Sequence, residues 1–192
     1  MFRQLLTAPN QLTLLRLIFI PFIIINIVDG SYTWALVLLV GAGISDGLDG
    51  LLARALHQQT RLGQYLDPIA DKLLLSSLFL VLSILHRIPW KYTVLVFSRD
   101  FSIMITAAVL YATTSIRDFK PSIFGKVNTG AQVITLFFVL LFQVEPAPWV
   151  YYARKLGLYS TFTFTLISGL HYIYITGQRL RSSDRSRAAT PN

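Results

Sequence analysis

The chain has 192 residues, 54% of them hydrophobic and only 14% charged, with a net charge of +8 and a mean hydropathy of +0.57. A soluble domain is usually about 25% charged, so this balance excludes an ordinary soluble globule and points to an integral membrane protein. The absence of cysteine excludes disulfides, zinc–thiolate sites and iron–sulfur clusters. The basic residues lie between apolar runs and at the C-terminus, which suits an anionic lipid leaflet rather than nucleic acid.

Met1 to Pro9 carries Phe2, Leu5 and Leu6 against Arg3 and Gln4, a pattern for a short interfacial segment. Asn10 to Val28 is the first expected span, with Pro21 as a kink. It carries Arg16 and lacks a small-residue cleavage site, so it reads as a span and not as a cleavable signal. No Arg- and Ser-rich transit peptide precedes it, which favours a bacterial chain or a mature form. Asp29, Gly30 and Ser31 form a turn. The second span runs from Thr33 to about Arg54 and the third from Leu62 to Leu85, with a polar connection over His57 to Arg61. Pro89 and Trp90 mark the next loop. Tyr92 to Thr114 is the fourth span, interrupted by Arg99 and Asp100. Gly125 to Val144 is the fifth and Leu156 to Thr176 the sixth. Residues 178–192 read as a basic, Ser-rich, disordered tail beyond a membrane domain of residues 1–177.

Each span is about 20 residues, the length a bilayer requires. Six spans put both termini on one side. That side holds Arg3, Arg54, Arg61, Arg117, Lys120, Lys126, Arg179, Arg181, Arg185 and Arg187, against Arg87, Lys91, Arg154 and Lys155 opposite. The positive-inside rule then makes the termini cytoplasmic.

Four of the nine acidic residues fall within Ser45 to Lys72: Asp46, Asp49, Asp67 and Asp71. Asp46, Asp49, Gly50 and Ala53 follow the i, i+3, i+4, i+7 spacing of one helix face, and Asp67 and Asp71 share a face of the next span. Carboxylates this close repel unless cations neutralise them. Hard divalent cations prefer such oxygen donors, and a two-metal site stabilises both the attacking and the leaving oxygen of a phosphoryl displacement. Gly50 and Ala53 leave room for a ligand, and Arg54 offers a planar fork to a phosphate. Taken singly, each has a plain reading as a solvated helix end, a packing residue or a positive-inside anchor. The combined spacing does not.

The run Asp46-x2-Asp49-Gly50-x2-Ala53-Arg54-x8-Gly63-x3-Asp67-x3-Asp71 resembles, position for position, the signature of the CDP-alcohol phosphotransferases. Pro9 to Arg16 and Asp67 to Lys72 resemble the branch that uses CDP-diacylglycerol. The resemblance covers residues 9 to about 175. It implies an all-α integral membrane fold of six transmembrane helices, the active site at the cytoplasmic ends of helices 1–3, and a homodimer. It also implies two divalent cations, Mg2+ or Mn2+, with Asp46 and Asp67 bridging both, Asp49 completing one and Asp71 the other. Asp71 would be the general base. CDP-diacylglycerol would be held by Asn10, Thr13, Gly50, Ala53, Arg54, Thr60 and Gly63. With the spans, the positive-inside balance and no transit peptide, a bacterial inner (cytoplasmic) membrane is the expected location.

Two acceptors are compatible with that branch: phosphatidylglycerol, giving cardiolipin, and glycerol 3-phosphate, giving phosphatidylglycerophosphate. Phe119-Lys120-Pro121-Ser122 and Gly125-Lys126-Val127-Asn128-Thr129 resemble the CMP-forming cardiolipin synthases and favour phosphatidylglycerol. Ser98-Arg99-Asp100 stands where glycerophosphate users more often have Ala-Arg-Glu. Both acceptors carry a phosphate, for which Arg99, Lys120 and Lys126 are candidates; a buried ion pair is the plain alternative for Arg99. A divalent-cation transporter is the rival class, disfavoured because Thr33 to Val40 and Leu73 to Leu85 carry no charge.

Overall fold

The computed structural model describes residues 8–55, 61–113 and 123–188, all of which build helices or the turns between them. The helices are α1 (Ala8–Val28), α2 (Tyr32–Ala55), α3 (Arg61–Ile84), α4 (Trp90–Thr113), α5 (Ile123–Val144) and α6 (Pro148–Ala188). There is no strand among the described residues. The limits of α1 to α5 lie within two residues of the apolar runs, because turn residues and charges punctuate those runs. Helix α6 differs. It begins at Pro148, a residue suited to the first position of a helix, and continues for 41 residues. Residues 178–188, expected to be a disordered tail, extend this helix. Arg181, Asp184 and Arg187 recur there at i, i+3 spacing with alternating sign, a pattern that supports a helix.

Two of the connections are tight. Gly30 has φ +74°, and Ser31 N–H donates to Asn26 O at 2.8 Å and Gly30 N–H to Ile27 O at 3.2 Å. This is the paired-bond helix stop that needs a left-handed residue after the last turn. His86 (φ 57°) ends α3 in the same way, with Arg87 N–H on Leu82 O at 2.8 Å.

Helix α1 packs against both α2 and α3, α5 against α2, α3 and α6, and α4 against α3 and α6. The inward stripes follow helical spacing. On α1 the buried residues are Arg16, Ile20, Ile23 and Ile27; on α2, Ala35, Leu39 and Ala42; on α3, Ala70, Leu74, Leu78 and Leu82. Helix α4 buries Tyr92, Val96 and Arg99, α5 Asn128, Gln132, Leu136 and Val139, and α6 Val150, Leu158, Thr161, Thr165 and Ser168. The stripes of α1, α5 and α6 each carry buried polar side chains toward one end. These lie toward the N-terminal end in α1 (Arg16) and α5 (Asn128, Gln132) and toward the C-terminal end in α6 (Thr161, Thr165, Ser168), as an up–down bundle requires if they share one end, whereas Ser83 of α3 and Thr93 of α4 pair at the opposite end. On α2 the next two steps of the stripe after Leu39 and Ala42 are positions 46 and 49, both aspartates.

The outward faces are apolar as well. Ile18, Phe22 and Ile25 on α1, Trp34 and Ile44 on α2, and Phe101 and Met104 on α4 are all exposed. Among the described residues, one stretch, Gly125–Val144, is long and apolar enough to cross a membrane, with shorter apolar stretches over Leu14–Val28 and Tyr32–Ser45. Arg87 stacks over Tyr32 and Arg154 over Phe142, with guanidinium carbons 5.6 and 4.5 Å from the ring centroids.

Candidate active site

A cavity of about 180 Å3 opens where α1, α2, α3 and α5 meet, lined by Arg16, Leu39, Ala42, Gly43, Asp71, Leu74, Leu75, Thr129 and Val133. Its polar groups are Arg16, Asp71 and Thr129. Arg16 is only 1% exposed, yet it is the one charged residue of α1. Its Nη1 donates to Asp71 Oδ1 in a salt bridge from α1 to α3. The Asp71 side chain keeps 38% of its surface exposed, so the carboxylate is gripped on one side and accessible on the other. A buried guanidinium is tolerated only with such a partner.

Of the four aspartates, Asp71 is the one whose side chain is described. For Asp46, Asp49 and Asp67 the backbone places the positions. Position 46 follows Ala42 by four and Gly43 by three, and position 49 follows Ala42 by seven. Both therefore continue the α2 face that lines the cavity. Position 67 precedes Asp71 by four and continues the cavity face of α3. Positions 50 and 53 extend the α2 face, and position 13 stands one turn before Arg16 on α1. The side chains of Asn10, Thr13, Gly50, Ala53, Arg54 and Gly63 lie outside the described residues, as do the whole of Thr60 and Lys120.

A second polar group joins α3, α4 and α6. Lys72 Nζ donates to Asp100 Oδ1 at 2.5 Å, and Arg99 Nη1 donates to the same oxygen at 2.7 Å. Arg99 Nη2 and Nε donate to Ser168 Oγ at 2.8 and 3.3 Å. Arg99 is buried at 7% exposure. One carboxylate thus serves two cations. Lys126, the other described candidate for an acceptor phosphate, is exposed near the start of α5. Between α5 and α6, Thr165 Oγ1 donates to Asn128 Oδ1 at 2.9 Å, and Thr135 and Thr161 share a hydrogen bond of 2.8 Å.

Three features escape a reading of the sequence alone. Arg16 is the cation that grips Asp71; its spacing to Ile20, Ile23 and Ile27 was the available signal. Lys72 pairs across to α4. Gln132 is a fully buried amide whose place on the α5 stripe is visible only by counting from Leu136 and Val139.

The profile of the CDP-alcohol phosphatidyltransferase family matches residues 6–168. The chain belongs to that family. The match takes in all four aspartates and the cavity, and it ends at Ser168, short of the α6 extension. The chain is similar to a protein of Drosophila melanogaster named probable cardiolipin synthase (CMP-forming), at 34% identity over 149 residues, covering 69% of this chain and 46% of that one. It is similar to the Homo sapiens cardiolipin synthase (CMP-forming) at 32% identity, covering 88% of this chain and 61% of the relative. A CDP-diacylglycerol–glycerol-3-phosphate 3-phosphatidyltransferase of Bacillus subtilis (strain 168) is 29% identical over 92% of this chain and 98% of its own length. The chain thus spans less than two thirds of the fly and human relatives, and nearly all of the bacterial one. The names of these relatives give two different activities.

Proposed function

We propose that the protein transfers a phosphatidyl group from CDP-diacylglycerol to phosphatidylglycerol, forming cardiolipin and releasing CMP. Membership of the family carries the reaction class. The choice of acceptor is supported by the runs Phe119 to Ser122 and Gly125 to Thr129 and by the two relatives named as cardiolipin synthases. Glycerol 3-phosphate is the second reading, favoured by the end-to-end alignment with the Bacillus relative. The apolar outward faces of α1, α2 and α4 support an integral membrane protein. A bacterial inner membrane, with both termini and the site on the cytoplasmic side, and a homodimer belong to the same proposal.

The donor chemistry fits two divalent cations, Mg2+ or Mn2+. Positions 46, 49, 67 and 71 are all hard carboxylate donors, and they continue the two helix faces that border one cavity. Asp46, Asp49, Asp67 and Asp71 would hold the ions, whose chemistry is to neutralise the pyrophosphate and the leaving CMP. The chain's own residues do the rest. The guanidinium of Arg54 grips the pyrophosphate, with Asn10, Thr13, Gly50, Ala53, Thr60 and Gly63 around the nucleotide. Asp71 takes the proton of the acceptor hydroxyl. The hydroxyl oxygen forms a bond to the phosphatidyl phosphorus while the bond from that phosphorus to the CMP oxygen breaks in line, and CMP leaves with the electron pair. Arg99 and Lys72 share the single Asp100 carboxylate, which leaves a net positive charge for the acceptor's phosphate, with the exposed Lys126 and with Lys120 as the further candidates.

The test is CMP release by purified protein given CDP-diacylglycerol, Mg2+ and one acceptor at a time. Release with phosphatidylglycerol, abolished by a chelator and restored by Mg2+ or Mn2+, is expected. Release with glycerol 3-phosphate alone would reassign the acceptor, and no release with any alcohol would refute the reaction class.

A further inference from the structure

The inward stripe of α5 begins with two carboxamides, Asn128 and Gln132, both with no exposed surface. Asn128 Oδ1 is satisfied by Thr165, but its Nδ2 has no partner among the described residues. For Gln132 neither Nε2 nor Oε1 has one. The threonines beside them are satisfied. Thr135 donates to Ala131 O at 2.7 Å and pairs with Thr161. On the inward stripe of α5 the deficit therefore falls on the carboxamides. Buried polar groups are nearly always hydrogen-bonded, so an orphaned pair of this kind calls for an occupant.

Its location suggests which. On a helix, Gln132 lies about 60° round from Thr129 and about 40° from Asn128. Thr129 and Val133 line the cavity that holds Asp71, whereas Asn128 faces α6 through Thr165. Gln132 thus stands on the shoulder between the cavity wall and the α5–α6 seam. A carboxamide presents one donor group and one acceptor, the complement of a hydroxyl, which gives and takes one hydrogen bond. Both acceptors considered above present a glycerol with two neighbouring hydroxyls. One must come to Asp71, and the other then lies a few bonds away.

We propose that Gln132 is a specificity-determining residue that hydrogen-bonds the acceptor's second hydroxyl, with Asn128 Nδ2 as an adjoining donor. This rests on the phosphatidyl-transfer reading but not on which of the two acceptors is used. A site built to bond a hydroxyl rejects the analogue that lacks it, because its own buried groups are then unpaired.

The experiment compares, in wild type and Gln132→Leu, phosphatidylglycerol and an analogue whose head group is propane-1,3-diol, which lacks only the middle hydroxyl. Glycerol 3-phosphate and 3-hydroxypropyl phosphate form the parallel pair. Wild type is expected to lose at least about tenfold in kcat/KM on the analogue. Gln132→Leu is expected to use both at the analogue's rate, so that the ratio falls close to one. Gln132→Met, of similar length without the amide, serves where the leucine variant fails to fold. An unchanged ratio in a folded variant overturns the proposal and leaves the amide as a holder of structural water. A wild type that makes product but ignores the missing hydroxyl overturns it too, with the reaction class intact. No CMP release with any alcohol removes both.

Discussion

Asp71 is held by Arg16 on one side and open to the cavity on the other, and the two residues carry separable predictions. Asp71→Asn keeps the shape of the side chain but removes the base. CMP release is expected to fall by about a hundredfold or more, while CDP-diacylglycerol binding, measured by nucleotide displacement, persists. Arg16→Met keeps the apolar stem and removes the charge, leaving the carboxylate without its grip. It is expected to lower kcat by at least about tenfold and to lower the thermal midpoint, since the salt bridge that ties α1 to α3 is lost. Arg16→Lys should recover part of both, and equal loss in the lysine variant would show that the forked geometry of arginine is required. The sequence discloses the two residues unequally. Asp71 belongs to a spacing that only a shared face explains. Arg16 stands alone in an apolar run, where one cation reads equally well as an anchor reaching toward the interface.

At the scale of elements, the contact between α5 and α6 depends on a missing side chain. A Cβ at Gly157 would lie 2.9 Å from Thr135 Oγ1 and 3.2 Å from Thr135 Cα. The second of these is backbone and has little freedom to give. Gly157→Ala should therefore push the helices apart, strain the Thr135–Thr161 bond and destabilise by about 1–3 kcal/mol, read as a lower thermal midpoint in detergent. The sequence shows the helix limits well because apolar runs, turn residues and charges alternate sharply. It fails at α6 because neither Gly177 nor a serine-rich composition is a stop signal strong enough to override opposite charges at helical spacing. The family match ends at Ser168, so deletion of residues 178–192 is expected to leave CMP release within about twofold of wild type. A larger loss would show that the extension serves the reaction.

For the whole molecule, composition discloses the apolar surface, and the aspartate spacing discloses which faces of α2 and α3 turn inward. It does not disclose partners distant in the chain. Arg99 and Ser168 are separated by 69 residues and Asn128 and Thr165 by 37, and nothing local in α4 or α5 names the residue on α6 that meets it. These pairs lie at the polar ends of the stripes, while Ile23, Ile27, Leu78, Leu82, Val139 and Leu140, all fully buried, pack toward the other ends.

That division has a consequence for backbone dynamics. Amide hydrogens exchange through local openings, which are rarest where apolar contacts are densest. The C-terminal half of α3, around Leu78 and Leu82, should exchange most slowly. Its N-terminal half, ahead of Ala70, should exchange faster although the same helix continues through both. Deuterium uptake resolved by peptide along α3 would show this gradient. Added Mg2+ with a CDP-alcohol should slow uptake at the fast end and leave the slow end unchanged, so that one half of the bundle acts as a fixed base against which the other closes.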